Sequence, residues 1–594
     1  MDISDNLRPH PCSTICYNGD VIDDIGVIMV KSEISDDYTY VAVIESGTVD
    51  HFGFLKQDYL IVDSIGLIYD IYTILNMKPL TINQLLEKIK GDKKVWDIYA
   101  RSDDEMCINQ FEKYKSAVKV SKYKPQNISE LTQMVAALRP AFSSMYSVFE
   151  SRQHFDYGIP ELDDLIQDAF SHSSFILYQE TLMKVLNYAG FTLNETYPII
   201  KAISKKKTKV IMDAKEKFIK NFTDKTGSFV VPAKVWTIIE NSASYGFNSA
   251  HAYCMALDSV TLAWMKAYYP LEFYGVALDR YTGKEDKNKV RKLRVEAMRN
   301  NIKVLPIAFT KDNRRYSINK DTNTINQSMS SIKYLQSNCA GILYQLGEKK
   351  YDNLLMLFHD IKNAKVQNKS IIILIKLGYF NQYGSITDVM LQYSSYLNTQ
   401  KMITKFSTNK IISRAKISCF FNLDNLINMF EKISEKQLRY PTTEFAQYVK
   451  SNWKSIFDYY MERDKDIYSL SDKLIFRIAW EIQYIGCTQL IDTTLSDYFY
   501  VIESAEVNKY GTTFCTLYQV NNGEDIQCKI PKSRGKSSVL YEQGDIVYGI
   551  IIKKNKKQND GKGNYVDSPE LENVLTDYSL ILDREKEMCY NDII

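Results

Sequence analysis

The period of the hydrophobic pattern changes along this chain, and that change points to a multidomain α+β architecture. Residues 1–75 alternate in strand fashion through "STICYN", "DIGVIMVKSE", "DYTYVAVIES" and "FGFLKQDYLIVDS". Turn signals at Asn18-Gly19-Asp20 and Ser46-Gly47 separate them. From Thr81 to Asn300 the pattern is helical: "TINQLLEKIKG" has a Thr cap and a terminal Gly, and "ISELTQMVAALRP" stops at a Pro. Residues 305–400 are mixed, with two helix–turn–helix candidates that contain Gly341 and Gly378. A helical stretch runs on to Leu495. After Tyr498, strands divided by Asn-Gly and Gly-Asp turns predict a small β-barrel of OB type. At 594 residues the chain is too long for one core.

Net charge is only +2, so any nucleic-acid function has to rest on local basic patches. The ten cysteines are scattered, with no CxxC pair. Cys12 and Cys16 near His10 form the one local cluster, and each thiol is expected to be buried and free, which suits a reducing cytoplasm. "MDISDNLRPHPC" has no apolar core, which argues against a signal peptide. The apolar runs "SIIILIKLG" and "DIVYGIII" are too short to span a bilayer, so no membrane association is expected.

One carboxylate is out of place. Asp58 lies inside an apolar run, "HFGFLKQDYLIVDSIGLIYDIY", where burial without a partner or metal is costly. It is either a strand end facing water or a ligand. Asp63 is expected to be structural. Asp20, Asp23 and Asp24 in "NGDVIDD" are expected to form a solvated acidic turn.

Two long segments carry the strongest signal: "SSFILYQETLMKVLNYAGFTLNETYPIIKAISKKK" and "SYGFNSAHAYCMALDSVTLAWMKAYYPLEFYGVAL". With "NQFEKYK", "AALRPAFSSMYSVFESRQHFDYGI" and "FLKQDYLIVDSIGL" upstream, they resemble the bacterial C-family replicative DNA polymerases, the DNA polymerase III alpha subunits. The Gram-positive type and phage relatives look most similar. The resemblance implies a partial, mixed palm sheet at 1–75 and a large helical fingers domain at 76–304. It further implies a tandem helix-hairpin-helix DNA-binding region at 305–400, a helical connector at 401–496 and an OB-fold domain at 497–594.

The same resemblance places Asp58 on a palm carboxylate that binds Mg2+ in a two-metal site. The family's paired Asp-x-Asp lies N-terminal to the segment represented here. A second polymerase chain carrying the rest of the palm is therefore an expected partner. As an isolated run, Lys205, Lys206 and Lys207 would read as a solvated turn. The resemblance instead implies that they meet the triphosphate of a dNTP, with Lys201 beside them although Ile200 replaces a second basic residue. Arg139 matches an Arg-Pro turn and is another phosphate candidate. Gln179, Glu180, Asn248 and His251 match polar fingers positions, whereas Ser249 and Ala250 depart from the family pattern. Arg8 and His10 resemble a palm segment.

Primer–template DNA is the expected substrate. Gly378, in the second helical hairpin, and Lys553, Lys554, Lys556 and Lys557, at a barrel strand end, are the DNA-binding candidates. A sliding clamp is a further expected partner, through "NLINMF" with Met429 and Phe430 as anchors. The reading is a DNA-directed DNA polymerase subunit. Its rival is a non-catalytic DNA-binding or scaffolding protein derived from one.

Overall fold

The computed structural model describes residues 13–580 except 32–37, 45–47, 50–51, 59–61, 103, 140–141, 169–172, 244–245, 410, 441, 469–472, 509–511, 532–540 and 560–564. Arg8, His10 and Cys12 lie outside the described residues. The chain divides into two compact units, Met1–Thr73 and Ile74–Ile594.

The first unit contains two antiparallel strand pairs. Ser13–Cys16 pairs with Leu55–Asp58, and Val27–Lys31 pairs with Tyr38–Ala42. Ribbons of two strands are marginal by themselves, and these expose Met29, Tyr40 and Leu55. The strand reading of this region fails at Asp63. Asp63–Ile74, "DSIGLIYDIYTI", is a helix that buries Leu67, Ile71 and Tyr72. Those three recur at helical spacing, but a short apolar run does not reveal its period unaided. The acidic turn is a single helical turn, Val21–Asp24, capped by the Asp20 side chain. Asp24 accepts a hydrogen bond from the Tyr17 hydroxyl at 2.8 Å.

The second unit opens with helices. Thr81 closes a capping box with Gln84 at the start of Ile82–Ile89. Helices Gln179–Tyr188, Leu193–Ser204, Thr208–Thr226 and Val231–Ser242 enclose a core that contains Leu182, Leu186, Phe218 and Trp236. The helix Ser249–Tyr268 buries a row of small side chains, Ala252, Ala256 and Ala263, and packs on Ile128–Ala137. Small residues allow the two backbones a close approach.

The far end of Ser249–Tyr268 is fixed by a buried charge cluster. The Lys266 ammonium, almost fully buried, pairs with Asp104 at 3.2 Å and with Glu296, and donates to the Asp104 carbonyl at 2.7 Å. The Tyr274 hydroxyl donates to Glu296 at 2.9 Å, and the Met106 N–H to the other Glu296 oxygen at 3.0 Å. Burial pushes the Glu296 carboxyl up to about 7, against the pull of Lys266. Burial would lower the Lys266 ammonium, but the two carboxylates more than reverse that, and its pKa is raised.

A three-stranded sheet follows, with Thr324–Asn326 between Lys303–Leu305 and Ser317–Asn319. Gly341 lies inside the helix Cys339–Gly347, so it is not a turn residue. Gly378 is one: at φ +76° it ends the helix Asn368–Lys376, and the chain re-enters a helix at Ile386 under a Ser385 capping box. The stretch expected to be purely helical, 401–496, also carries three short strands, Ile411–Ser413, Glu431–Lys432 and Gln437–Arg439. Met429 and Phe430 are partly buried and pack against the core beside them, with Phe430 5.0 Å from the Phe445 ring.

Residues 499–580 contain a closed five-stranded barrel, in the order Phe499–Val507, Thr513–Gln519, Glu524–Ile530, Tyr565–Leu580, Ile546–Asn559. Closure removes unpaired edges. The barrel is tied to the helix Lys287–Arg299 by Arg291, which meets Glu503 at 2.9 Å and Asp525 at 2.7 Å. Among the described residues, no helix is long and apolar enough to cross a membrane.

The thiol expectation holds in part. Cys107, Cys339, Cys487, Cys515 and Cys528 are buried and free, but Cys16, Cys254 and Cys419 are exposed. The exposed three lie at a strand end, on a helix and just past a helix end, positions that composition does not reveal.

Candidate functional site

Two chain segments meet at Phe247. The backbone there forms an isolated parallel bridge with Tyr178: Gln179 N–H donates to the Phe247 carbonyl at 2.9 Å, and Phe247 N–H to the Leu177 carbonyl at 3.0 Å. Gly246 eases this approach. A Cβ there would stand 3.3 Å from the Gln179 backbone nitrogen. The bridge sets the start of Gln179–Tyr188 beside the start of Ser249–Tyr268.

Glu180 locks that arrangement. Its carboxylate accepts from the Asn248 side-chain amide at 2.9 Å and from the Ser249 N–H at 3.0 Å. Asn248 is also the N-cap, accepting from the His251 N–H at 2.7 Å. The Phe247 ring is the organiser. The Arg139 guanidinium lies 4.0 Å from its centroid, and the exposed His251 ring meets it edge-on at 5.3 Å. Arg139, Gln179, Glu180, Asn248 and His251 therefore form one cluster, although up to about a hundred residues separate them in sequence. Phe247 was missed in the sequence. An aromatic flanked by Gly and Asn is the signal that would have found it, since glycine permits the close backbone approach that puts a ring in reach of several elements.

The lysine run lies at the same end of these helices. The Ser204 hydroxyl donates to the Ala243 carbonyl at 2.7 Å, so Lys205 follows directly on a contact with the chain that leads to Gly246 and Phe247. Lys205, Lys206 and Lys207 are all exposed. Lys206 occupies the left-handed position at φ +55°, with Lys207 N–H bonded back to the Ala202 carbonyl. That is a helix C-terminal motif in which glycine is usual. Lys207 then serves as N-cap of Thr208–Thr226 without a side-chain bond, leaving the first amides of a 19-residue helix directed past three ammoniums. Exposed Lys201 is in the last turn before them, with its ammonium 5.8 Å from the Tyr197 ring. Such a corner suits a polyanion.

Asp258 lies seven residues after His251 on the same side of its helix, half-buried, and burial pushes its carboxyl up to about 6. The sequence analysis did not single it out.

Asp58 belongs to the first unit. Its described backbone closes the strand Leu55–Asp58 opposite Ser13. Among the described residues, no three His, Cys, Asp or Glu side chains are grouped so as to hold a metal ion.

The barrel lysines are exposed along Ile546–Asn559, but the facing strand is acidic. Lys554 lies opposite Glu572 in register, and Lys557 pairs with Asp567 at 2.8 Å. Lys553 faces Asn573, and Lys556 lies in the same ribbon. This is a mixed-charge ribbon rather than a basic stripe.

Residues 67–226 match the family model described as the bacterial DNA polymerase III alpha subunit finger domain. The DNA polymerase III subunit alpha of Aquifex aeolicus (strain VF5) is 26% identical over 342 residues, covering 56% of this chain and 29% of that protein. The protein of the same name in Bacillus subtilis (strain 168) is 25% identical over 342 residues, covering 57% of this chain and 30% of the relative. That of Mycoplasma genitalium is 27% identical over 257 residues, or 43% and 29%. In each case the match spans less than a third of the relative's length.

Proposed function

From a chain that is DNA polymerase III alpha-like over about half its length, we propose a part of a DNA-templated DNA polymerase. It adds dNTPs to a primer 3′ end in bacterial or phage replication in the cytoplasm. One observation carries the reading. Arg139, Gln179, Glu180, Asn248 and His251 gather around Phe247, at the helix ends where Lys205, Lys206 and Lys207 emerge.

In this reading the chain's residues bind and orient the incoming nucleotide. The lysine run and the first amides of Thr208–Thr226 hold the triphosphate, which carries roughly three to four negative charges. Lys201 adds attraction from the preceding turn. Arg139, with its guanidinium 4.0 Å from the Phe247 centroid, offers its N–H groups to a phosphate oxygen. Glu180 orients the start of Ser249–Tyr268 and with it Asn248 and His251. Primer–template DNA is held by the helical hairpin at Gly378, whose amides face phosphates, and by the barrel.

Magnesium, when bound, would supply charge stabilisation for phosphoryl transfer. We assign Asp58 one carboxylate of that site and a second polymerase chain the others, on the resemblance to the family's palm.

Primer extension tests this. The purified chain binds primer–template without sequence preference and in a salt-sensitive way, but does not extend it. A chain supplying the paired carboxylates restores extension, and Asp58→Ala abolishes it again without loss of DNA affinity. Robust extension by the chain alone would contradict the shared site. Wild-type extension by Asp58→Ala would contradict the assignment of that residue.

A further inference from the structure

We propose that Lys287, Lys333, Tyr334 and Lys369 form a binding subsite for single-stranded nucleic acid, with a base against the Tyr334 ring and backbone phosphates against the lysines. It rests on the reading of the chain as a DNA-handling protein.

Tyr334 is the starting point. It sits at φ +64°, in the left-handed region that a bulky side chain adopts only at a free-energy cost, and the residue is 61% exposed. A core contact does not explain the strain, because most of the residue faces solvent. The conformation is held by the Lys333 N–H, which donates to the Tyr484 carbonyl at 2.8 Å at the end of the helix Leu474–Tyr484. Lys369 places its ammonium 4.6 Å from the Tyr334 centroid, a cation over one face of an otherwise open ring.

The charges around this tyrosine are of one sign. The Lys287 side chain lies against Gly486, which sits at φ +94°. Gly486 is two residues past Tyr484, whose carbonyl accepts the Lys333 N–H, so Lys287 and Lys333 meet the same turn. Burial and then the Lys333 ammonium depress the Lys287 pKa, and Glu285 offers it only longer-range attraction. Two ammoniums brought together repel, and an anion lodged between them removes the repulsion.

A fourth lysine supports the same picture. Lys376 is only 7% exposed and stands 5.3 Å from the Trp480 centroid and 5.9 Å from that of Tyr484. Burial lowers its pKa. Among the described residues none of Lys287, Lys333, Lys369 and Lys376 forms an ion pair with a carboxylate, whereas Lys266, Lys289 and Lys320 in the same unit each do. An exposed, strained aromatic among unpaired lysines offers stacking and charge together. That is the combination by which single strands are held without sequence readout. A free inorganic anion would use the lysines and leave the tyrosine unexplained.

The test is fluorescence anisotropy of a labelled oligothymidylate with the full chain, without dNTP or metal, over a range of salt. Lys287→Ala/Lys333→Ala is expected to weaken binding and to reduce the slope of log K against log salt by about 1.4, from roughly 0.7 per phosphate contact. Tyr334→Ala is expected to weaken binding at least about fivefold with the slope unchanged. Tyr334→Gly removes the ring and relieves the left-handed strain, so it should melt no lower than wild type yet bind as weakly as Tyr334→Ala. Wild-type affinity and slope in all three variants would overturn the subsite. Loss of inorganic pyrophosphate binding alone, with oligothymidylate binding intact, would overturn it in favour of a free-anion site. An unmodified chain that binds no oligothymidylate would sink the DNA-handling reading together with the subsite. Normal binding by both wild type and variants would sink the subsite only.

Discussion

The Asn248 side chain donates to the Glu180 carboxylate at 2.9 Å, joining the first turns of two helices 68 residues apart. The same carboxylate takes the Ser249 N–H, so Glu180 supports the end of the helix that carries His251. It acts as a positioning residue. Glu180→Ala should lower stability by about 1–2 kcal/mol in urea unfolding, with Glu180→Gln losing less. A direct nucleotide contact would instead leave stability unchanged.

Lys206 tests strain and charge at one position. Its φ of +55° is a conformation that glycine adopts without penalty. Lys206→Gly should raise stability by about 0.5–1 kcal/mol, read from the thermal midpoint. The same variant should bind a nucleoside triphosphate less well. Stabilisation with unchanged triphosphate binding would separate Lys206 from the site.

The buried Lys266 cluster predicts a pH dependence with a defined sign. Burial raises the Glu296 carboxyl from its ordinary value of 4.5 to about 7, so between those values the folded state holds a proton that the unfolded state releases. That contribution is fully present below pH 4.5 and is lost as pH rises through 7. Lys266→Met removes the opposing ammonium and leaves the carboxylates uncompensated. It should cost about 3–5 kcal/mol at neutral pH, and less at pH 5. Equal losses at both pH values would show that the cluster is not ionised as described.

Asp258 gives a second pH effect with the same sign. Its carboxyl is raised from 3.8 to about 6 by burial, so its contribution is present below 3.8 and lost as pH rises through 6. Asp258→Asn should be more stable than wild type above pH 6 and nearly equal to it at pH 4. Thermal midpoints across that range decide the matter.

Much of the fold was legible because local signals agreed with the final packing. The Thr81 capping box, the Gly378 turn and the short strands of the barrel can each be read from a few adjacent residues. The helix Asp63–Ile74 could not, since "SIGLIYDIY" is apolar at nearly every position and its period appears only once one face is buried. The site was legible as a set of residues and not as a geometry. The polar positions were recognised, but Phe247, which brings Arg139 and His251 together, lies among them as one more aromatic. The charged setting of the barrel lysines was not legible for a related reason. The acidic strand that faces them begins several residues later, and only pairing in register puts Asp567 against Lys557.

The central claim is that the corner formed by Lys205, Lys206 and Lys207 receives the triphosphate of an incoming nucleotide. It is tested most directly by equilibrium binding of a dNTP to the purified chain on primer–template DNA. Lys205→Ala/Lys206→Ala/Lys207→Ala should weaken dNTP binding by at least about tenfold while changing primer–template affinity much less, because the charges face the triphosphate and not the duplex. Unchanged dNTP affinity, with a shallower salt dependence of DNA binding, would place the three lysines on the nucleic-acid backbone and contradict the account.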